Sequence, residues 1–288
     1  MTGYQAPSAE LLARVSLDKH RFHNTHSLGQ NFLLSEALIA SLLDEVGLDS
    51  GDNVLEVGPG AGVMTRLLAQ RVKRVLAVEL DRGLEPVLED VLAGVDNVRL
   101  SFQDIMKADL RGLDGEAFGG ENYRVVANLP YYITADVLLR FAASDCPPDS
   151  IAVMVQREAA ERVMSEPGSK QWCALAAELR YYGRASVLAE VPPEAFDPPP
   201  HVVSQFIRID RCDDPDVCPA DGAAFRRLIR AAFAMRRKTL VNNLKASFGM
   251  SQESARQALA AVGLDERVRG EALTLAELAR LSDALGGK

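Results

Sequence analysis

The sequence predicts an α/β fold: a mostly parallel sheet with helices on both faces, followed by a small all-α C-terminal domain. Two observations carry this. Between residues 52 and 156 short apolar runs alternate with helical patterns, which calls for right-handed crossovers and a parallel sheet covered on both faces. Beyond residue 222 the apolar positions recur at helical spacing, with no further strand pattern.

The elements follow in order. Residues 1–26 read as a mobile, mildly basic arm, with His20, His23 and His26 close to Lys19 and Arg21. A spacing of three can put histidines on one helical face as metal ligands, but no fourth ligand is in view, so no metal is expected. Residues 36–46 have Leu38, Ile39, Leu42, Leu43 and Val46 at helical spacing. Strands are expected at 52–58, 74–80, 97–104, 123–128 and 150–156, with a further one at 202–209. Helices are expected at about 62–70, over "GLEPVLEDVL" and over "ITADVLLRFAA". The sheet domain therefore runs from 27 to 211, and the polar, Pro-containing stretch 212–222 is the linker. In the helical domain, 223–288, Phe225, Leu228, Ile229, Ala232 and Phe233 form an apolar stripe. Gly263 is a stop signal, and Thr274 with Glu277 forms a capping-box pattern.

Composition narrows the class. At 48% hydrophobic and 25% charged the chain is an ordinary globular protein. No apolar run approaches the roughly 18 residues of a membrane span, and the N-terminus lacks the apolar core of a secretory signal. Cys146, Cys173, Cys212 and Cys218 show neither metal spacing nor a disulfide framework. A cytoplasmic, reduced protein without a membrane partner is expected. The net charge of -8 argues against a nucleic-acid partner, but its distribution argues the other way. Residues 221–250 contain Arg226, Arg227, Arg230, Arg236, Arg237, Lys238 and Lys245 against Asp221 alone, a net of +6. That segment suits phosphate contacts; the alternative is a solvated helix face.

Chemistry concentrates at the carboxyl ends of the strands. "LEVGPGAG" places Gly58, Gly60 and Gly62 at the first strand-to-helix turn, where glycine permits close backbone approach to a nucleoside. Glu79 ends the second strand about 20 residues on, where a carboxylate can accept from ribose hydroxyls. Asp104 ends the third and can accept from an adenine amino group. Structural turns and solvated acids are the bland reading. A dinucleotide oxidoreductase is another, but the glycine spacing is GxGxG rather than GxGxxG, a pattern common in S-adenosylmethionine methyltransferases.

The fourth strand ends in Asn128-Leu129-Pro130-Tyr131, which resembles the Asn-Pro-Pro-Tyr-type signature of methyltransferases acting on exocyclic amino groups. An adenine N6 lone pair is delocalised into the ring and is a poor nucleophile. Two acceptors gripping its N–H bonds favour the pyramidal geometry needed for attack, and the Asn128 side-chain oxygen and Leu129 carbonyl can supply them. Pro130 stiffens the turn, and the Tyr131 ring offers a stacking platform for a base out of its stack, worth roughly 1–3 kcal/mol. A structural turn beside a core tyrosine is the alternative.

With these residues in view, the chain resembles the small-subunit ribosomal RNA adenine dimethyltransferases over nearly its full length. "SLGQNFL", "LEVGPGAGVMT", "VELD", "VVANLPYYIT", "MVQREAAERV", "PGSK", "VPPEAFDPPPHV" and "AFAMRRKTLVNNL" fall in the family's order. The resemblance implies a Rossmann-like S-adenosylmethionine-dependent methyltransferase fold. It implies N6,N6-dimethylation of two adjacent adenosines in a hairpin near the 3′ end of small-subunit rRNA. The expected partner is an immature small subunit, and the expected state a monomer. It also implies that Asn31 and Leu33 touch the cofactor, with Gly58 at its methionine part, Glu79 at the ribose, Asp104 at the adenine, and Asn128 between cofactor and target. Phe196 would stack on the opposite side of the target adenine from Tyr131. The helical domain, with Arg226, Arg227, Arg230, Arg236, Arg237 and Lys238, would face RNA in a salt-sensitive way. Two stretches depart from the family pattern, Gln171-Trp172-Cys173 after "PGSK" and Val203-Ser204-Gln205 after the proline-rich loop. The nearest rival reading is the macrolide-resistance methyltransferases of large-subunit rRNA, which commonly have isoleucine where Leu129 stands. A non-catalytic ribosome-assembly factor is the rival from another class.

Overall fold

The computed structural model describes residues 7–22, 31–212 and 217–286. In chain order its elements are α1 (Ala9–Lys19), β1 (Phe32–Leu33), α2 (Glu36–Val46), β2 (Asn53–Val57), α3 (Val63–Ala69), β3 (Arg74–Glu79), α4 (Glu85–Val91), β4 (Val98–Phe102) and α5 (Leu110–Phe118). Then come β5 (Arg124–Ala127), α6 (Thr134–Ala142), β6 (Ser150–Gln156), α7 (Arg157–Val163), α8 (Ala174–Tyr182), β7 (Gly183–Val191), β8 (Phe196–Asp197) and β9 (Ser204–Arg211). The last helices are α9 (Gly222–Phe233), α10 (Leu240–Phe248), α11 (Gln252–Ala261) and α12 (Leu275–Ala284).

Seven strands form one sheet in the order β4-β3-β2-β5-β6-β9-β7. β4 through β6 are parallel, and β9 runs antiparallel to β6 with Ser204 opposite Gln156. β2, "NVLEV", is buried along its whole length, as a strand covered on both faces must be. The chain builds outward from β2 to β4, then returns to the other side of β2 with β5. The carboxyl ends of β2 and β5 are therefore a topological switch point, where open α/β sheets bind ligands. β1 and β8 pair separately as a two-residue ladder, Phe32 opposite Asp197 and Leu33 opposite Phe196.

Two compact units divide the chain: the described residues up to Ala160 with Ser186–Asp210, and Glu161–Ala185 with the described residues from Arg211 onward. This differs from the expected division at 212–222. Glu161–Ala185 packs with the later helices because Trp172, Ala176 and Ala177 share a core with Phe225, Leu228, Leu278 and Leu281. In that unit, Thr274 and Glu277 form the expected capping box of α12.

The expected mobile arm is corrected. Residues 9–19 form α1, started by Ser8, whose hydroxyl accepts from Leu11 N at 3.2 Å. Its buried face is Ala9, Ala13 and Ser16, residues too small to register as an apolar stripe. Lys19 and His20 bind Asp90, and His23 and His26 lie outside the described residues. The sequence reading also passed over β7, whose burial does not alternate, and α5, α7 and α8. No helix among the described residues is long and apolar enough to cross a membrane.

Candidate active site

One pocket opens at the switch point, with about 1070 Å³ of empty space including its mouth. Asn31, Leu33, Gly58, Gly60, Glu79, Asp104, Asn128, Leu129 and Tyr131 all line it. Phe196 does not. Its ring is 4% exposed, held on β8 opposite Leu33 and packed into the core.

The glycine turn is built by steric need at two positions. Gly60 has a φ of +56°, and a Cβ there would lie 3.0 Å from the Phe32 ring. Gly62, at +80°, begins α3, and a Cβ there would meet Leu88 at 3.0 Å and Val91 at 3.2 Å. The turn thus rests against β1 on one side and α4 on the other, leaving its backbone bare toward the pocket.

Glu79 is buried and braces the turn. Its Oε1 accepts from Leu80 N and Asp81 N at 2.8 Å, and its Oε2 accepts from Gly60 N at 3.2 Å. Burial raises its carboxyl above the usual range, while these backbone N–H groups pull it back down. With three of about four acceptor positions filled, roughly one remains for a ligand hydroxyl. Asp104 shapes its own turn, Oδ1 accepting from Met106 N at 2.9 Å and Oδ2 lying 3.3 Å from Lys107 Nζ.

Asn128 donates from Nδ2 to the Asn31 carbonyl at 3.3 Å. That contact fixes which way the amide points and leaves Oδ1 as an acceptor. The Pro130 carbonyl is taken by Ile133 N and Thr134 Oγ1, both at 3.2 Å. The Leu129 carbonyl accepts no hydrogen bond among the described residues. Consecutive residues at the end of β5, both lining the pocket, thus each keep an acceptor. The Tyr131 hydroxyl is 2.6 Å from Ser204 Oγ, a fully buried group on β9, and burial raises the phenol's pKa. Ser204 belongs to one of the two stretches that depart from the family pattern, and its hydroxyl ties the Tyr131 ring to β9. Tyr132, on the rim, is 62% exposed.

Sequence reasoning missed Glu56. It lines the pocket at 1% exposure, and its Oε2 has no hydrogen-bond partner. The signal was present: one acid inside the otherwise apolar run "VLEVG". Burial pushes its carboxyl up to about 8, with the charge of Glu79 acting in the same direction. Raised above its unfolded value of 4.5, it contributes stability below that pH and loses it as pH rises through 8. Glu56→Gln is therefore expected to gain on the parent between pH 5 and 8, by at most about 1.4 kcal/mol per pH unit. Melting temperatures of both proteins across that range test this; parallel curves would refute it.

This donor set fits a nucleoside with a cationic tail. Carboxylates stand at the ends of β3 and β4, the glycine turn follows β2 on the other side of β3, and the buried Glu56 lines the same pocket.

The profile of the family described as Ribosomal RNA adenine dimethylase matches residues 21–285. The chain is 41% identical over 280 residues to Ribosomal RNA small subunit methyltransferase A of Geobacillus thermodenitrificans, covering 96% of this chain and 94% of that one. It is 42% identical over 272 residues to the protein of the same name from Shouchella clausii, covering 93% and 92%. Among solved structures, a dimethyladenosine transferase from Plasmodium falciparum superposes with a TM-score of 0.67 at 20% identity, over 86% of this chain and 94% of that one. The 23S rRNA methyltransferase ErmE superposes with 0.63 at 23% identity, over 89% and 100%. At these identities the structural likenesses speak to the fold alone.

Proposed function

Because the chain belongs to the ribosomal RNA adenine dimethylase family, we propose that its pocket seats S-adenosylmethionine beside an extruded adenine of small-subunit rRNA. The enzyme is an rRNA adenine-N6,N6-dimethyltransferase acting on two adjacent adenosines near the 3′ end of that RNA. The observation that supports the reading is the end of β5, where Asn128, its amide oriented by Asn31, and Leu129, whose carbonyl accepts no hydrogen bond among the described residues, line one pocket.

S-adenosylmethionine, when bound, supplies a methyl group on a sulfonium leaving group. The protein's part is orientation. Gly58 and Gly60 offer backbone to the methionine portion, Glu79 accepts from a ribose hydroxyl, and Asp104 faces the adenine of the cofactor; Asn31 and Leu33 close the wall. Asn128 and Leu129 hold the target N6 pyramidal, and Tyr131, fixed by Ser204, lies against the base. The methylated nitrogen is cationic and sheds its proton readily, so no general base is needed. Phe196 is buried opposite Leu33 and does not line the pocket, so the stacking role expected for it is not part of this reading.

In the helical unit, RNA contact falls to part of the basic set. Arg230 pairs with the buried Glu178 through two bonds of 2.9 Å, Arg236 binds Lys170 O at 2.7 Å, and the Arg226 guanidinium lies 5.2 Å from the Tyr181 ring centroid. Arg237 and Lys238, both exposed, are the side chains proposed first for phosphate, and Arg227 keeps partners of its own. The site of action is an immature small subunit in the cytoplasm, with the enzyme as a monomer. Mass spectrometry of small-subunit rRNA after incubation with enzyme and S-adenosylmethionine tests the whole reading. Two adjacent dimethylated adenosines are expected; modification of isolated large subunits alone would overturn it.

A further inference from the structure

We propose that Phe22, delivered by α1, is a positioning residue that braces both walls of the donor pocket. This rests on the reading of that pocket as the S-adenosylmethionine site. β1 supplies Phe32 and Leu33 to the pocket and follows directly on Asn31, yet its only ladder partner among the described residues is the two-residue β8. So short a ladder does not by itself hold a strand still. Phe22 packs against its first residue, with ring centroids of Phe22 and Phe32 6.0 Å apart and tilted by 50°. The same Phe22 ring lies 3.5 Å from where a Cβ of Gly83 would stand, in the turn that follows Glu79.

Consequences reach the ligand groups through contact. The Phe32 ring touches Gly60, and Gly60 N donates to Glu79 Oε2. A shift of Phe32 therefore disturbs the glycine turn and the carboxylate together. It also disturbs the Asn31 carbonyl that orients Asn128.

α1 is anchored firmly enough to serve. Glu10 and Glu36 cap one another's helices, each carboxylate accepting from the other's backbone N–H at 3.3 Å. At its other end Asp90, on α4, accepts from Ser16 Oγ at 2.9 Å, from Lys19 Nζ at 2.7 Å, and contacts His20 Nε2 at 2.9 Å. Those partners hold the Asp90 carboxyl far below the usual carboxylate range. Phe22 N then donates to Leu17 O at 3.0 Å, fixing the ring just past the end of the helix. α1 lies before residue 21, where the family match begins.

Phe22→Ala in the full chain is the test, with Phe22→Leu as the conservative partner and Asp90→Asn to loosen α1 without removing apolar bulk. Calorimetric affinity for S-adenosylmethionine is expected to fall about tenfold in Phe22→Ala, equivalent to about 1.4 kcal/mol. The KM for the methyl donor should rise in step, with kcat at saturating donor within about twofold of the parent. Phe22→Leu should recover most of the affinity, and Asp90→Asn should weaken it roughly threefold. Parent-like donor affinity in both Phe22→Ala and Asp90→Asn, or equal losses of kcat and affinity without rescue by leucine, would overturn the proposal. A parent protein that binds no S-adenosylmethionine would instead overturn the reading of the pocket.

Discussion

Asn128→Ala is expected to lower kcat for methyl transfer by roughly 10²–10³-fold, the loss typical when one preorganised polar group at a reacting centre is removed. In the proposed reading the Asn128 side chain makes two contributions at once. Its Nδ2 ties the end of β5 to the Asn31 carbonyl at 3.3 Å, and its Oδ1 remains to accept from the target amine. Alanine removes the acceptor that discourages delocalisation of the N6 lone pair, and the Leu129 carbonyl alone cannot impose the pyramidal geometry. Affinity for S-adenosylmethionine should change far less than the rate, since Glu79, Asp104 and the glycine turn keep their own hydrogen bonds. Asn128→Asp keeps an oxygen where Oδ1 stands but sets a second oxygen against the Asn31 carbonyl, so an intermediate loss is expected. Single-turnover methylation of small subunits, with donor affinity measured in parallel, separates the two effects. A full rate in Asn128→Ala would end the assignment.

Trp172→Ala is expected to destabilise the helical unit by about 3–5 kcal/mol, as large aromatic truncations in cores do. Trp172 is 0% exposed and the largest fully buried side chain among the described residues. Its ring meets Phe233 edge-on at 6.3 Å, and its indole N–H donates to the Leu273 carbonyl at 3.2 Å, 101 residues away in sequence. Alanine leaves a cavity and strips a buried carbonyl of its partner. Trp172→Phe keeps most of the volume and loses only the N–H, so a cost of about 1–2 kcal/mol is expected. Denaturant titration followed by circular dichroism measures both, with the loss confined to a separate transition, since two units need not unfold together. A loss below about 1 kcal/mol in Trp172→Ala would contradict this packing role.

Trp172 also marks where the sequence was silent. The departure Gln171-Trp172-Cys173 gave no hint that it anchors a core with residues a hundred positions later, because that contact has no local periodicity. The donor end of the site was far more legible. Gly58, Glu79 and Asp104 end successive parallel strands, so strand spacing alone puts them at one edge. Glu56 escaped because a strand buried on both faces carries no alternation to show which way a side chain points. α1 escaped because its buried face is made of alanines and a serine. The arginines were readable as charge but not as partners; Arg230 is held by Glu178, itself 2% exposed and 52 residues away.

Local chemistry in the chain settled the strand-helix alternation, the switch-point crevice and the place of Asn128 and Leu129 at its edge, since each depends on residues adjacent in sequence or one crossover apart. Tertiary structure alone decided which backbone and side-chain oxygens already have partners, that Phe196 is packed away, that Glu161–Ala185 joins the helices and that Phe22 lies against Phe32. Those outcomes turn on long-range packing and on the burial of polar groups, where the loser of each competition for a hydrogen bond or a cavity is set by neighbours the sequence does not place side by side.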